Sequence, residues 1–442
     1  MKAPKFFVLT FGCRCNQADS AAIRAGLYRR SFSESESYRN ADFIIVNTCT
    51  VTHRSDQQAR QTIRRLHRDN PSARVIVTGC YAERDPETLA GLPGVGLVLG
   101  NADRERLPAF IENGLNPAQN KIVHSPLGAG QGCLLPPSMH TGGKTRPLVK
   151  LQDGCDAHCS YCIVPKVRGP GRSANPEDIL EEIRSLVSHG FQEIVLTGIH
   201  LGAYGRNRGV SLADLLRRIV EIPGLGRIRL SSIEPMDFTR DIVKLAAENP
   251  VIARHFHIPL QSGSDRILRR MRRPYTVAQF RELLQYIHRE LPDAGLGTDI
   301  LVGFPGETER DFAETCALIE DSPLAYLHVF PFSPREGTEA CLLPDPVPSR
   351  VVKGRLTKTL EISRSKNVKF RRQFLGRVVP ALTLAEEEDL GEAVVLTGNY
   401  IHARVPGLPV PPNRLVEIRI EDVRPDTTYA SIVDLENRSR NR

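Results

Sequence analysis

The chain of 442 residues is long enough for two to four domains, each able to bury an ordinary core. Hydrophobic residues at 40% and charged residues at 25% exclude a disordered or fibrous chain, and a net charge of +8 points to a polyanionic partner. No run approaches the roughly 18 apolar residues of a membrane span, and Met1-Lys2-Ala3-Pro4-Lys5 leads into a strand without a leader, so the ten cysteines are expected to be reduced thiols in a cytoplasmic protein with no membrane partner.

The first third alternates β-rich runs with helical stretches, the pattern of an open parallel α/β sheet. Strands are predicted over 5–9, 42–46, 74–78 and 96–99. Cys13 follows the first, Cys49 the second and Cys80 the third. Carboxyl ends of neighbouring parallel strands share one edge, so three distant cysteines can converge there. Buried core thiols are the alternative, but recurrence at one structural position disfavours it.

Periodicity fades after Asn101, and Gly128, Gly130, Gly132 and Pro136 mark a linker expected over 126–146. Cys133 within it is given no role. Strands then recur at 148–151, 193–197, 227–231, 255–259, 297–302 and 326–332, separated by helices such as the one opened by Pro176-Glu177-Asp178. Six units of this kind predict a partial (β/α)6 barrel with its site at the carboxyl ends of the strands. A basic helix is expected over 349–374, followed by short strands at 378–384, 393–396, 401–404 and 415–420 that suit a small β-barrel.

Cys155, Cys159 and Cys162 follow the first strand of the central unit as C-x3-C-x2-C. A structural zinc site wants four ligands and paired C-x2-C elements; no second pair follows, though His158 inside the loop could ligate. A 4Fe-4S cluster fits three thiols better and leaves one iron open for an outside ligand.

This loop, with Tyr161 before the last cysteine, resembles the radical S-adenosylmethionine superfamily. The resemblance implies that S-adenosylmethionine chelates the open iron and is cleaved to a 5'-deoxyadenosyl radical. It also implies cofactor contacts at Tyr161, at Gly198 in Leu196-Thr197-Gly198-Ile199-His200, at Ser232 and Glu234 after the third strand, at Gln261 after the fourth and at Gly303 after the fifth.

With Cys13, Cys49 and Cys80 in front and Leu396-Thr397-Gly398-Asn399-Tyr400 behind, the chain is similar to the methylthiotransferases. That family implies a second 4Fe-4S cluster on Cys13, Cys49 and Cys80, a C-terminal TRAM module that contacts RNA, an electron donor such as flavodoxin or ferredoxin, and a sulfur source. The expected division is 1–125 for the auxiliary-cluster domain, 126–146 linker, 147–372 radical core and 373–442 TRAM-like domain. Asn47 to Asp56, Arg60 to Arg65 and Arg168-Gly169-Pro170-Gly171-Arg172-Ser173 resemble the branch acting on N6-threonylcarbamoyladenosine-37 of tRNA. The isopentenyladenosine branch, the ribosomal-protein aspartate branch and a zinc-stabilised RNA-binding module without catalysis are the alternatives. Cys15 stands where the family usually has an apolar residue, and Cys13 is chosen as the ligand by its match to the motif. Arg269, Arg270, Arg272 and Arg273 and the basic helix are expected to meet tRNA phosphates, and Tyr400 to stack on a base or join the core.

Overall fold

The computed structural model describes residues 4–112, 122–128, 144–385, 392–407 and 411–433. Most of the expected linker, with Cys133, lies outside the described residues.

Six strands form the first sheet: β1 (Lys5–Thr10), β2 (Ser33–Glu34), β3 (Phe43–Thr48), β4 (Arg74–Gly79), β5 (Val95–Leu99) and β6 (Ile122–Val123), in the order β2-β1-β3-β4-β5-β6 and parallel throughout. Ile44, Val46, Val75 and Val77 enter the core on one face, while Ile45 and Ile76 join Phe6 and Val8 on the other. Burial on both faces explains why these strands read as unbroken apolar runs.

The central unit holds β7 (Leu148–Asp153), β8 (Arg172–Ser173), β9 (Glu193–Gly198), β10 (Arg227–Leu230), β11 (His255–His257), β12 (Gly295–Val302) and β13 (Tyr326–Pro331). Six of them run parallel as a split half-barrel, β7-β9-β10 and β11-β12-β13, with one bridge from Ile228 to Ile252 across the split and β8 antiparallel at the β7 edge. Helices cover the outside. Capping boxes Ser211/Asp214, Thr276/Gln279 and Thr308/Asp311 start three of them, and Asn175 with Pro176 starts another.

The outer core takes Val149, Leu151, Ile194, Leu196, Ile228, Leu230, Phe256, Leu296, Ile300 and Leu327. Alternation along a strand then turns their neighbours into the lumen: Lys150 and Gln152, Glu193 and Thr197, Arg227 and Arg229, His255 and His257, Asp299, Tyr326 and His328. The lumen is therefore polar, and it is closed partly by other parts of the chain. The Arg14–Tyr28 helix covers β7 and β9, with Asp19 against Lys150 at 2.5 Å and Cys15 Sγ 3.8 Å from Thr197 Oγ1. At β10 and β11, Arg229 donates to the carbonyls of Thr397 and Gly398, both at 3.0 Å, and Tyr400 stacks on His255 at 4.1 Å between centroids.

The last unit is a closed five-stranded barrel of β14 (Val378–Thr383), β15 (Glu392–Thr397), β16 (His402–Pro406), β17 (Leu415–Val423) and β18 (Thr428–Ile432). The sequence reading lacks β18. It spans only five residues, too few to show a period, and although it forms a hairpin with β17 its pairing with β16 is non-local. The basic helix runs Ser349–Arg372, but Arg355 and Arg371 are buried within it, holding Glu307 and Thr428. Those two positions are unavailable to phosphates.

Candidate active site between sheet and half-barrel

Cys49 and Cys80 come directly after β3 and β4, and Cys13 lies three residues past β1 as the cap of the Arg14–Tyr28 helix. The turns before Cys13 and Cys80 need glycine. Gly12 has φ +98° and its missing Cβ would fall 2.7 Å from Cys49 Cβ; Gly79 has φ +94° and would strike Thr48 O at 2.4 Å. Cys15, two residues on, and the Arg168 charge outweigh burial and bring the Cys13 thiol down to about 6. Burial pushes Cys49 up to about 12 and also raises Cys80.

The second trio sits on the loop after β7. Cys162 N–H donates to Cys159 O at 3.1 Å and Ala157 N–H to Cys155 Sγ at 3.4 Å. Two charged donors, both far away in sequence, reach the sulfurs. His200 Nδ1 lies 3.5 Å from Cys155 Sγ, while its Nε2 meets Asp237 at 2.5 Å. Burial opposes its charge, but Asp237 and Cys155 outweigh it and raise its pKa to about 10, which favours the imidazolium. Arg273 donates to Cys159 Sγ at 3.2 Å and pairs with Glu234. This corrects the expectation that Arg273 meets a phosphate: it is buried and turned inward. Arg272 pairs with Glu339 at 2.7 Å.

The two trios meet. Ile163, next after Cys162, packs with Val167 on Cys80. Arg168 donates through Nε to Cys80 Sγ at 3.3 Å, through Nη1 to Asp153 at 3.1 Å, and through Nη2 to Asn16. Around it lie Arg104, Lys150 and Arg172, all buried, against only two buried carboxylates, Asp19 and Asp153. Burial would raise both carboxyls, but the cations hold Asp19 down at about 2 and Asp153 well below the usual range. Four cations against two anions leave an excess of two buried positive charges beside three thiols. Buried charge of that kind calls for an anionic partner. A metal cluster held by thiolates, with net negative charge at its sulfurs, fits the residues present. Sequence reading missed this network because Asp19 lies 131 residues from Lys150. The signal available was a lysine and an aspartate in a strand otherwise fit for burial.

The remaining residues expected to touch the cofactor lie at or after the ends of β7, β9, β10, β11 and β12. Tyr161 packs on Ile267, Met271, Phe304 and Ala340. Gly198 ends β9 so close to β7 that a Cβ would sit 3.1 Å from Gln152 Cβ. Ser232 is exposed, its Oγ 2.8 Å from His257 Nδ1. Gln261 has φ +72° and bridges to β12 through Gln261 N to Asp299 O at 2.8 Å. Gly303 has φ +78°, and the space of its missing Cβ is taken by Val352 of the basic helix, which gives this glycine a packing role.

On the outer face of the junction, Arg14, Gln17, Lys144, Thr145 and Arg146 line a cleft of about 250 Å³. Burial, then the charges of Arg24, Arg146 and Arg14, lower the Lys144 pKa. Tyr400 takes the Arg229 guanidinium over its ring at 5.2 Å and packs on His255, a structural placement.

Residues 149–319 match the Radical SAM superfamily model and residues 5–100 the model described as Uncharacterized protein family UPF0004. The chain is 36% identical to threonylcarbamoyladenosine tRNA methylthiotransferase MtaB of Aquifex aeolicus, over 90% of this chain and 96% of that protein. It is 35% identical to MtaB of Bacillus subtilis, over 93% and 92%. It is also 35% identical to tRNA-2-methylthio-N(6)-dimethylallyladenosine synthase of Thermobifida fusca, over 96% and 87%. Among solved structures, the radical S-adenosylmethionine methyltransferase TsrM of Kitasatospora setae aligns with a TM-score of 0.53 at 15% identity, covering 74% of this chain and 75% of that one, a likeness of fold. Taken with the two facing cysteine trios, these matches over nearly the whole chain show that it belongs to the radical S-adenosylmethionine tRNA methylthiotransferases, in their MtaB-like branch.

Proposed function

We propose that the chain adds sulfur and a methyl group at C2 of N6-threonylcarbamoyladenosine-37 in tRNA, giving the 2-methylthio nucleoside. The observation that carries the reading is the contact of the two cysteine loops at Cys80 and Ile163, with an excess of buried positive charge beside them. Cys155, Cys159 and Cys162 would hold one 4Fe-4S cluster and Cys13, Cys49 and Cys80 the other. S-adenosylmethionine would be bordered by Tyr161, Gly198, Ser232, Glu234, Gln261 and Gly303. When bound, these groups supply radical generation and the methyl and sulfur that are transferred.

The protein's own residues have defined tasks. His200 and Arg273 donate to Cys155 and Cys159, and Arg168 to Cys80, so each hydrogen bond favours the thiolate over the thiol. The Arg14–Tyr28 helix and the turn from Thr397 to Tyr400 exclude water from part of the lumen. The cationic cleft at Arg14, Lys144 and Arg146 and the five-stranded barrel would bind tRNA, a contact that weakens steeply with salt. The domain division stated above, an electron donor of the flavodoxin or ferredoxin kind, a separate sulfur source and a cytoplasmic setting belong to the same reading.

Relatives named for threonylcarbamoyladenosine and for dimethylallyladenosine match at similar identity. The polar lumen favours the first. Mass spectrometry of tRNA nucleosides from a deletion strain tests it. Loss of 2-methylthio-N6-threonylcarbamoyladenosine is expected, and its persistence with loss of the dimethylallyl product would overturn the choice.

A further inference from the structure

We propose that the lumen face of β11, β12 and β13, carrying His257, Asp299 and His328 with Phe330 beside them, receives the N6 substituent of the target adenosine and selects one bearing hydrogen-bonding and carboxylate groups. The inference rests on the tRNA reading above and names the part of the site that discriminates between substrates.

The half-barrel is covered unequally. Over β7 and β9 the lumen is filled by the Arg14–Tyr28 helix, and at β10 and β11 by the turn from Thr397 to Tyr400. The face of β12 and β13 is open: the His328 side chain is 54% exposed and Phe330 46%. This open face lies between the two cysteine loops. At one side Ser232 Oγ holds His257 Nδ1 at 2.8 Å, two residues before Glu234, whose partner Arg273 reaches Cys159. At the other, Ser333, just past β13, accepts at Oγ from the His53 N–H, four residues after Cys49. Through these contacts the open face connects to both cysteine loops.

Their chemistry is specific. Asp299 Oδ1 stands 3.2 Å from His257 Nε2 and 3.4 Å from His328 Nδ1. His257 is buried, and Asp299 Oδ1 partners its Nε2. His328, anchored on Asp299 through Nδ1, presents Nε2 to the open lumen, where it can donate to a carboxylate. Asp299 can accept from a ureido N–H or a hydroxyl. The floor is aromatic: Tyr326 hydroxyl meets His255 Nε2 at 2.7 Å, and Gly297 leaves the room, since a Cβ there would fall 2.2 Å from the Tyr326 ring. Phe330 offers an exposed ring for stacking a purine. A branched hydrocarbon substituent placed here would strip water from Asp299 and both imidazoles and return no hydrogen bond.

The test uses the full, cluster-reconstituted protein and three anticodon stem-loop RNAs with threonylcarbamoyladenosine, dimethylallyladenosine or adenosine at position 37. The readout is the ratio of their affinities. His328→Leu at an exposed position, and Asp299→Asn as an independent isosteric change, are each expected to reduce the preference for the threonylcarbamoyl RNA over the dimethylallyl RNA by about tenfold or more. A general loss of structure lowers all three affinities alike and leaves the ratio intact. An unchanged ratio in both variants overturns the assignment, as does a stoichiometric divalent metal other than iron that is lost in His328→Leu, since the same three side chains also fit a cation. A wild-type protein that prefers the dimethylallyl RNA refutes the substrate reading itself, which separates the two failures.

Discussion

Asp153→Asn and Arg168→Met should separate two roles inside one buried cluster. Asp153 receives Lys150 at 3.0 Å, Arg168 at 3.1 Å and Arg104 at 3.3 Å. Neutralising it leaves four buried cations facing Asp19 alone, and an uncompensated buried charge costs about 3–5 kcal/mol. Removing Arg168 orphans neither carboxylate, because Asp19 and Asp153 keep both Lys150 and Arg104. Its cost in the iron-free protein is therefore that of lost charged hydrogen bonds, about 1.5–3 kcal/mol. The order reverses for cluster retention, because, of these four cations, it is Arg168 that donates to a cysteine sulfur. Anaerobic urea unfolding of the iron-free variants measures the first effect, and iron and sulfide after reconstitution the second. If Arg168→Met proves as destabilising as Asp153→Asn without iron, the cation excess is not what governs this cluster.

Gly12→Ala should lose the N-terminal cluster, because the new Cβ strikes Cys49; iron would fall from about eight to about four per chain. Cys159→Ala should abolish reductive cleavage of S-adenosylmethionine, with the same loss of about four irons, while stem-loop affinity in a filter-binding assay persists. Burial opposes ionisation of Asp19 and Glu193, but their cationic partners hold both at about 2. Depressed carboxyls contribute stability that is complete above their unfolded value of about 4 and is lost as pH falls towards 2, so melts between pH 5 and pH 2 should steepen there and flatten in Asp19→Asn. Arg229→Ala removes a fully buried partner of Glu193, Thr397 and Gly398; limited proteolysis should then release the C-terminal barrel sooner than in wild type.

The alternation of strands and the cysteines at their ends were legible because both are local. A strand buried on both faces announces itself as Ile44-Ile45-Val46 or Val75-Ile76-Val77. The directions of long side chains were not legible. Arg273 belongs to a basic run in sequence, yet its guanidinium turns towards Cys159, 114 residues earlier. Arg355 and Arg371 belong to the basic helix expected to meet tRNA phosphates, yet both are buried against Glu307 and Thr428. The relation of His200 to Cys155 was equally hidden, since a histidine after a βα turn reads the same whether or not a sulfur waits above it. Short strands such as Ile122–Val123 carry too few residues to show a period.

The half-barrel has no dry interior of its own. Cut out alone, residues 147–372 would keep Asp153 and Glu193 beside Lys150, Arg227 and Arg229, but those cations would lose Asp19 and the carbonyls of Leu396, Thr397 and Gly398, which belong to the flanking segments. Its neighbours are, in effect, the missing staves of the cask. A chain built this way can exchange loops and tailor its lumen, but its three parts are inherited together or fail together.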